Sequence, residues 1–249
     1  MTPNFDAADW KVELVPDNDD GRRFWLENYK PFRLASLLAD PQAFGSTYAR
    51  EIAFADQAWL DRIQNPLSKT FVAVHAHDTD RRVMSATSLI GPLPSAEPSS
   101  NPRQWASEMI SREDHRDRSG EPMSFQMAGV YTRAEARGRG LAKTLIRRAT
   151  DYAVEQAHKA GRPLSLSVVV YASNEAAVSV YESCGFARDP QGPVSEYNPL
   201  KQSSSETLNM FFSRDSTQIL RLIMPKLDRP AGTSLDTVGA PQGASAPLK

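Results

Sequence analysis

A single cysteine, Cys184, stands among the 249 residues, so no disulfide can close within the chain and nothing calls for an oxidising compartment. An excess of charge of one sign is lacking too. The 29 Lys and Arg face 30 Asp and Glu, a net charge of -1, which removes the footprint of a general nucleic-acid binder and leaves only a local basic patch open. No stretch reaches the roughly 18 apolar residues of a membrane span. Met1 to Trp10 carries acids and polar residues where a signal peptide has a basic start and an apolar run. A soluble, cytoplasmic chain working without membrane or nucleic acid is expected. No internal repeat is visible, and the 40% hydrophobic content is ordinary for a protein with a sizeable core, which excludes disorder throughout.

Core-forming residues are scarce in two places: the interior stretch 91–122 and the Pro-, Gly-, Ala- and Ser-rich tail 228–249, for which disorder is expected. Within the first, Trp105, Met109 and Ile110 have the spacing of one short helix. The remainder alternates helix and strand, which favours an α/β layered domain over residues 25–227, preceded by a lead-in strand or extension at 1–24. Helices are expected at Phe32 to Leu38, with Leu34, Leu37 and Leu38 inward, and at Tyr48 to Ile63, with Ile52, Trp59, Leu60 and Ile63 inward. Strands are expected at Thr70 to Ala76, Val83 to Ile90 and Ser124 to Thr132. A patterned helix from Leu141 to His158 follows, then a β-branched strand at Leu164 to Tyr171, a helix at Glu175 to Ser183 and a last strand at Ile219 to Met224.

Between the third strand and the long helix lies Arg137-Gly138-Arg139-Gly140-Leu141-Ala142. A strand, a glycine-rich turn and a helix start suit a phosphate, because glycines let the backbone approach and the first N–H groups of the helix have no acceptor of their own. Lys143 and the arginines add positive charge. A nucleotide P-loop needs glycine directly before its Lys-Ser/Thr, and here Ala142 precedes Lys143-Thr144. The dinucleotide pattern G-x-G-x-x-G fails as well, since Lys143 occupies its third glycine. A disordered Arg-Gly RNA-binding segment does not suit a stretch that leads into Leu141, Leu145, Ile146 and Ala149. The residues alone leave two readings open, a phosphate cradle and a tight turn with solvated arginines.

The spacing Arg137-x-x-Gly140-x-Ala142 resembles the Arg/Gln-x-x-Gly-x-Gly/Ala signature of the GNAT superfamily of N-acetyltransferases, whose loop holds the pyrophosphate of coenzyme A. Downstream, Asn174, Ala177, Tyr181, Gly185 and Phe186 follow N-x-x-A-x-x-x-Y-x-x-x-G-F, which resembles the second segment of that superfamily. Two independent motifs in the right order, each after an expected strand, are improbable by chance. The segment from Leu34 to Ile63, including Asp40 to Tyr48 and Trp59 to Arg62, is similar to paired helices that wall the acceptor pocket in one branch of small GNAT proteins.

This resemblance implies a mixed central β-sheet flanked by helices, with a splayed strand pair forming the acyl-CoA cleft. It implies an acetyltransferase with acetyl-CoA as co-substrate, an amine acceptor from a small molecule or peptide, no metal, and a monomer or homodimer. Val130, Tyr131 and Thr132 would bind the pantetheine arm through backbone groups, with the Val130 N–H polarising the thioester. Arg137, Gly138, Arg139, Gly140, Leu141, Ala142 and Lys143 would hold the pyrophosphate. Asn174 would contact the pantetheine or acceptor, and Tyr181 would protonate the leaving thiolate. Each also has a plainer reading: an isolated Asn174 is a helix cap, Tyr181 a half-polar core residue, and Cys184 packing. The resemblance also implies a strand glutamate as base, but Ser124 to Gly129 contains no carboxylate. Glu51, Glu108, Glu196, His115 and Tyr171 are the alternatives, and water-relayed or substrate-assisted deprotonation is equally open. A non-catalytic acyl-CoA sensor and an O-acyltransferase on the same fold are the competing functions.

Overall fold

The computed structural model describes residues 10–93, 120–190 and 219–225. The strands are β1 (Trp10–Leu14), β2 (Ser68–His75), β3 (Val83–Leu93), β4 (Met123–Thr132), β5 (Leu164–Tyr171), β6 (Ala187–Arg188) and β7 (Ile219–Ile223), and they form one sheet in the order β1-β2-β3-β4-β5-β7-β6. All pairings are antiparallel except β4 with β5. The helices are α1 (Asp19–Phe24), α2 (Lys30–Ala39), α3 (Tyr48–Ile52), α4 (Asp56–Ile63), α5 (Leu141–Lys159) and α6 (Glu175–Ser183). This is a mixed α/β fold, with helices on both faces of a seven-stranded sheet.

Side chains alternate across a strand, and β2 shows what that does here. Phe71 and Ala73 face one core with Leu145, Ile146 and Ala149 of α5, while Val72 and Val74 face a second core with Phe24, Phe32, Leu37 and Trp59 from α1, α2 and α4. The sheet is buried on both sides, so its central strands read as nearly continuous apolar runs.

Local chemistry explains where the helices begin. Asn18 caps α1 by accepting from the Gly21 N–H at 2.9 Å, and Asp19 and Asp20 favour the positive end of the helix. Gly21 lies so near the preceding chain that a Cβ would stand 1.7 Å from the Pro16 carbonyl oxygen. A widened π turn, Trp25–Tyr29, joins α1 to α2 and stacks the rings of Trp25 and Tyr29 at 3.9 Å.

The single helix expected from Tyr48 to Ile63 is two helices. The chain opens between Ile52 and Asp56, with Ala55 extended, and this lets the Phe54 ring pack edge-on against Trp59 at 6.3 Å, beneath the Arg62 guanidinium. Two residues expected in the core lie outside it: Leu38 is 60% and Ile52 46% exposed. Helix α2 turns Phe32, Ser36 and Leu37 inward, which carries Leu38 about 100° around the helix from its neighbour, and α3 gives its inward position to Glu51. Strand β6 was not expected, and it adds a short edge to β7. The lead-in residues supply β1 and α1. The Trp105–Ile110 helix and the tail 228–249 lie outside the described residues, and among those described no helix is long and apolar enough to cross a membrane.

Candidate active site

Strands β4 and β5 start as partners and then separate. Their parallel register runs from Met123 opposite Leu164 to Met127 opposite Val168. Beyond that, β5 keeps only its other neighbour, β7, as far as Tyr171 opposite Ile219, while β4 runs on to Thr132 with β3 alone. The β3–β4 register slips at the same place, because Ala86 faces Tyr131 and Ser88 faces Ala128. Gly129 and Val130 thus bulge opposite Thr87, with Gly129 at φ +64°. The expected splay is present, and the backbone groups of Ala128 to Thr132 that face β5 lie outside the ladder. Val130, Tyr131 and Thr132 all stand on this open edge.

The strand ends in a single turn, Ala134–Ala136, and Arg137 leads into the glycine segment. Gly138 and Gly140 hold φ of +76° and +78°, a left-handed conformation that costs a residue with a Cβ about 1–2 kcal/mol. Nothing lies within 4 Å of where their Cβ atoms would be. Gly140 is the cap of α5 and supplies no side-chain acceptor to the first helical N–H groups, while Thr144 Oγ1 donates to the Gly140 oxygen at 3.2 Å. The first helical hydrogen bond runs from the Thr144 N–H to the Gly140 oxygen, so the N–H groups of Leu141, Ala142 and Lys143 precede the ladder and point out of the helix start. Leu141 sends its side chain into the core, whereas Lys143 is exposed. This arrangement of backbone N–H groups suits an anion, and the segment is called the glycine cradle below.

The two outer arginines are held by protein. Arg139 lies over the Trp10 indole at 5.8 Å, and Trp10 meets His75 edge-on at 5.2 Å. Arg137 donates from Nε to the Thr132 oxygen at 3.0 Å and from Nη2 to Asp40 Oδ2 at 2.6 Å. Tyr131 donates its hydroxyl to the same Oδ2 at 2.8 Å. The Tyr131 hydrogen bond, with Arg137 beside it, holds the Asp40 carboxyl below the usual carboxylate value although burial opposes this. Burial, then Asp40, raises the Tyr131 phenol. Sequence spacing missed Asp40. It brings to a β4 side chain the carboxylate that the strand itself lacks, and only long-range contact reveals it.

The segment from Asn174 to Phe186 forms a closed unit. Asn174 Oδ1 accepts from the Ala177 N–H at 3.1 Å and caps α6. At the other end Gly185 takes φ +93°, with its N–H on the Glu182 oxygen at 3.0 Å and the Phe186 N–H on the Tyr181 oxygen at 3.2 Å. These paired bonds close the helix. The rings of Tyr181 and Phe186 meet edge-on at 5.6 Å, so the closure also fixes the tyrosine. Tyr181 is 4% exposed, and burial, then Cys184, pushes its phenol well above the ordinary value of 10.0. It is a protonated donor at neutral pH.

Of the base candidates, Glu51 is 1% exposed and lies between Arg33, at 2.9 Å, and Arg62, at 3.1 Å. Burial raises its carboxyl, but the two arginines and Ser46 outweigh it and the net shift is downward. Two guanidiniums make it a structural anion and a poor proton acceptor. Tyr171 ends β5 and has a partner of its own. Glu108, His115 and Glu196 lie outside the described residues.

Residues 109–186 match the model of the acetyltransferase (GNAT) family. No curated protein is significantly similar to the chain. Among solved structures, spermidine N-acetyltransferase from Vibrio cholerae in complex with CoA and spermine is 16% identical, covering 87% of this chain and 95% of that one with a TM-score of 0.47. Arabidopsis thaliana NAA60 in complex with a bisubstrate analogue is 13% identical, covering 86% of this chain and 98% of that one with a TM-score of 0.48. At such identities the ligands of those proteins are theirs alone. The splayed strands, the glycine cradle and the capped helix all fall within residues 109–186, the segment that matches the acetyltransferase (GNAT) family.

Proposed function

We propose that this chain transfers an acetyl group from acetyl-CoA to an amine of a small molecule or peptide, by direct attack in a ternary complex. The observation that carries this reading is the parting of β4 from β5 after Met127 and Val168, directly ahead of a helix start with left-handed glycines and exposed N–H groups. An extended donor arm can add to the open β4 edge as a strand would, with the pyrophosphate on the Gly138 to Lys143 backbone.

The amine nitrogen attacks the thioester carbon, and the negative charge that develops on the carbonyl oxygen is met by the Val130 N–H. The carbon–sulfur bond then breaks, the Tyr181 hydroxyl gives its proton to the leaving thiolate, and the proton that the attacking nitrogen loses passes through water and restores the phenol. Burial raises the phenol, so Tyr181 carries its proton at neutral pH. Asn174 caps α6 and sets the position of Tyr181 through the helix. Arg139 and Lys143 add positive charge beside the phosphates. The single cysteine suits a reducing compartment, and we place the activity in the cytoplasm, in a monomer or homodimer.

Thiol release from acetyl-CoA, screened against amines, polyamines, amino acids and peptides, tests the reading. Amine-dependent release with a product stable to mild base is expected. Thiol release with no acceptor modified favours a binding module, and a base-labile product an O-acyltransferase. In parallel, Gly140→Asp puts bulk and negative charge where the pyrophosphate would lie and is expected to abolish CoA binding in calorimetry; retained binding would refute the cradle.

A further inference from the structure

Asp40 and Arg137 are 97 residues apart in sequence, yet they form the shortest polar contact described at the site, 2.6 Å. Asp40 ends α2. Arg137 ends the turn that carries β4 into the cradle. Tyr131, on the open edge of β4, adds its hydroxyl to the same carboxylate oxygen. One carboxylate therefore joins three parts: the helices that cover the second face of the sheet, the free end of β4, and the turn before the glycines.

Three donors of Arg137 serve this junction. Its N–H goes to the Ala134 oxygen at 3.2 Å, its Nε to the Thr132 oxygen and its Nη2 to Asp40, and the guanidinium lies 5.5 Å from the Tyr131 ring. Two of its five side-chain N–H donors are held this way, which fixes the guanidinium beside Asp40 and Thr132. The pair is also half exposed, 51% at Arg137 and 39% at Asp40, and such ion pairs contribute little to global stability. Its effect is local geometry.

We propose that Asp40 is a positioning residue for the donor site. Through Arg137 and Tyr131 it holds the open end of β4 and the first turn of the cradle in one arrangement, and Arg137 serves the cradle by clamping this turn instead of touching the pyrophosphate. The proposal rests on the acetyltransferase reading for the identity of the donor.

Calorimetric titration of CoA into the wild type, Asp40→Ala, Arg137→Ala and the double variant tests it, with thermal unfolding measured alongside. Each single change is expected to weaken CoA binding about tenfold with little change in Tm, and the double variant to be no weaker than either, because both remove the same clamp. Arg137→Gln, which keeps a donor but no charge, is expected to recover part of the loss. If the wild type binds CoA and Asp40→Ala binds it equally well, the positioning role is overturned. It is also overturned if the two single losses add, since Arg137 then meets the phosphate on its own account. Should Asp40→Ala fail to fold, Asp40→Asn and Tyr131→Phe are titrated instead; CoA affinity equal to wild type in both overturns the role, and weakened affinity supports it. A wild type that binds no CoA refutes the donor reading itself, a separate failure from the others.

Discussion

Tyr181 has two duties that a single atom separates. Its ring belongs to the core and to the α6 closure, where it meets Phe186, and its hydroxyl is the proposed acid. Tyr181→Phe keeps the first and removes the second. The rate of acetyl transfer is expected to fall about 100-fold, at the low end of general-acid contributions, with CoA affinity and Tm close to wild type. Steady-state kinetics beside calorimetry checks this, and an unchanged rate removes Tyr181 from the acid role. A pH signature belongs to the same atom. Burial raises the phenol above its ordinary value of 10.0, so above that pH the unfolded chain binds fewer protons than the folded one, and the stability this group contributes is lost as pH rises. The wild type is therefore expected to lose stability above about pH 10 more steeply than the phenylalanine variant.

At the scale of elements, three short helices are joined by one buried anion. Glu51 of α3 receives Arg33 of α2 and Arg62 of α4, and those guanidiniums lie over Phe44, Phe54 and Trp59. Glu51→Ala leaves two cations without their counter-charge, and removing one member of a buried pair costs about 3–5 kcal/mol. Arg62 is 39% exposed and water can reach it, so the loss is expected near about 3 kcal/mol in urea unfolding at pH 7. Because the carboxyl is held below its ordinary value of 4.5, its contribution is present above that pH and disappears as pH falls below it. The gap between wild type and Glu51→Gln is therefore expected to narrow when unfolding is repeated at pH 3.5.

How far such elements are legible depends on where their causes lie in the chain. Helix α6 can be read from sequence because Asn174 and Gly185 end it locally, and β5 because β-branched residues fill it between turns. The glycine cradle is legible for the same reason: positive φ at Gly138 and Gly140 is a local demand. The break at Phe54 is not, since Trp59 and Arg62 create it from the next helix. Nor is the π turn, which Trp25 and Tyr29 stack upon once both are buried. The Asp40 junction is least visible of all. Its partners lie 91 and 97 residues away, and no periodicity or spacing within either segment records a contact that only the sheet brings about.

For the whole molecule, the sheet divides labour between its two sides of β4. One neighbour, β3, stays paired along the strand to Ser85 opposite Thr132. The other, β5, leaves after Met127, and the resulting notch opens toward the cradle, while the two cores on opposite faces hold its walls apart. A strand half paired and half open has an uneven pattern of amide protection, because exchange follows local hydrogen bonding and opening. In hydrogen–deuterium exchange, the peptide spanning Met123 to Met127 is expected to be protected with or without donor. Peptides covering Ala128 to Thr132 and Gly138 to Lys143 are expected to slow together when acetyl-CoA is added, while β2, paired between β1 and β3 away from the open edge, stays unchanged. Slowing at the cradle alone would mean that phosphate binds there but the donor arm does not lie along β4; slowing across every strand would mean general tightening and would remove the notch as the specific site of the acyl chain.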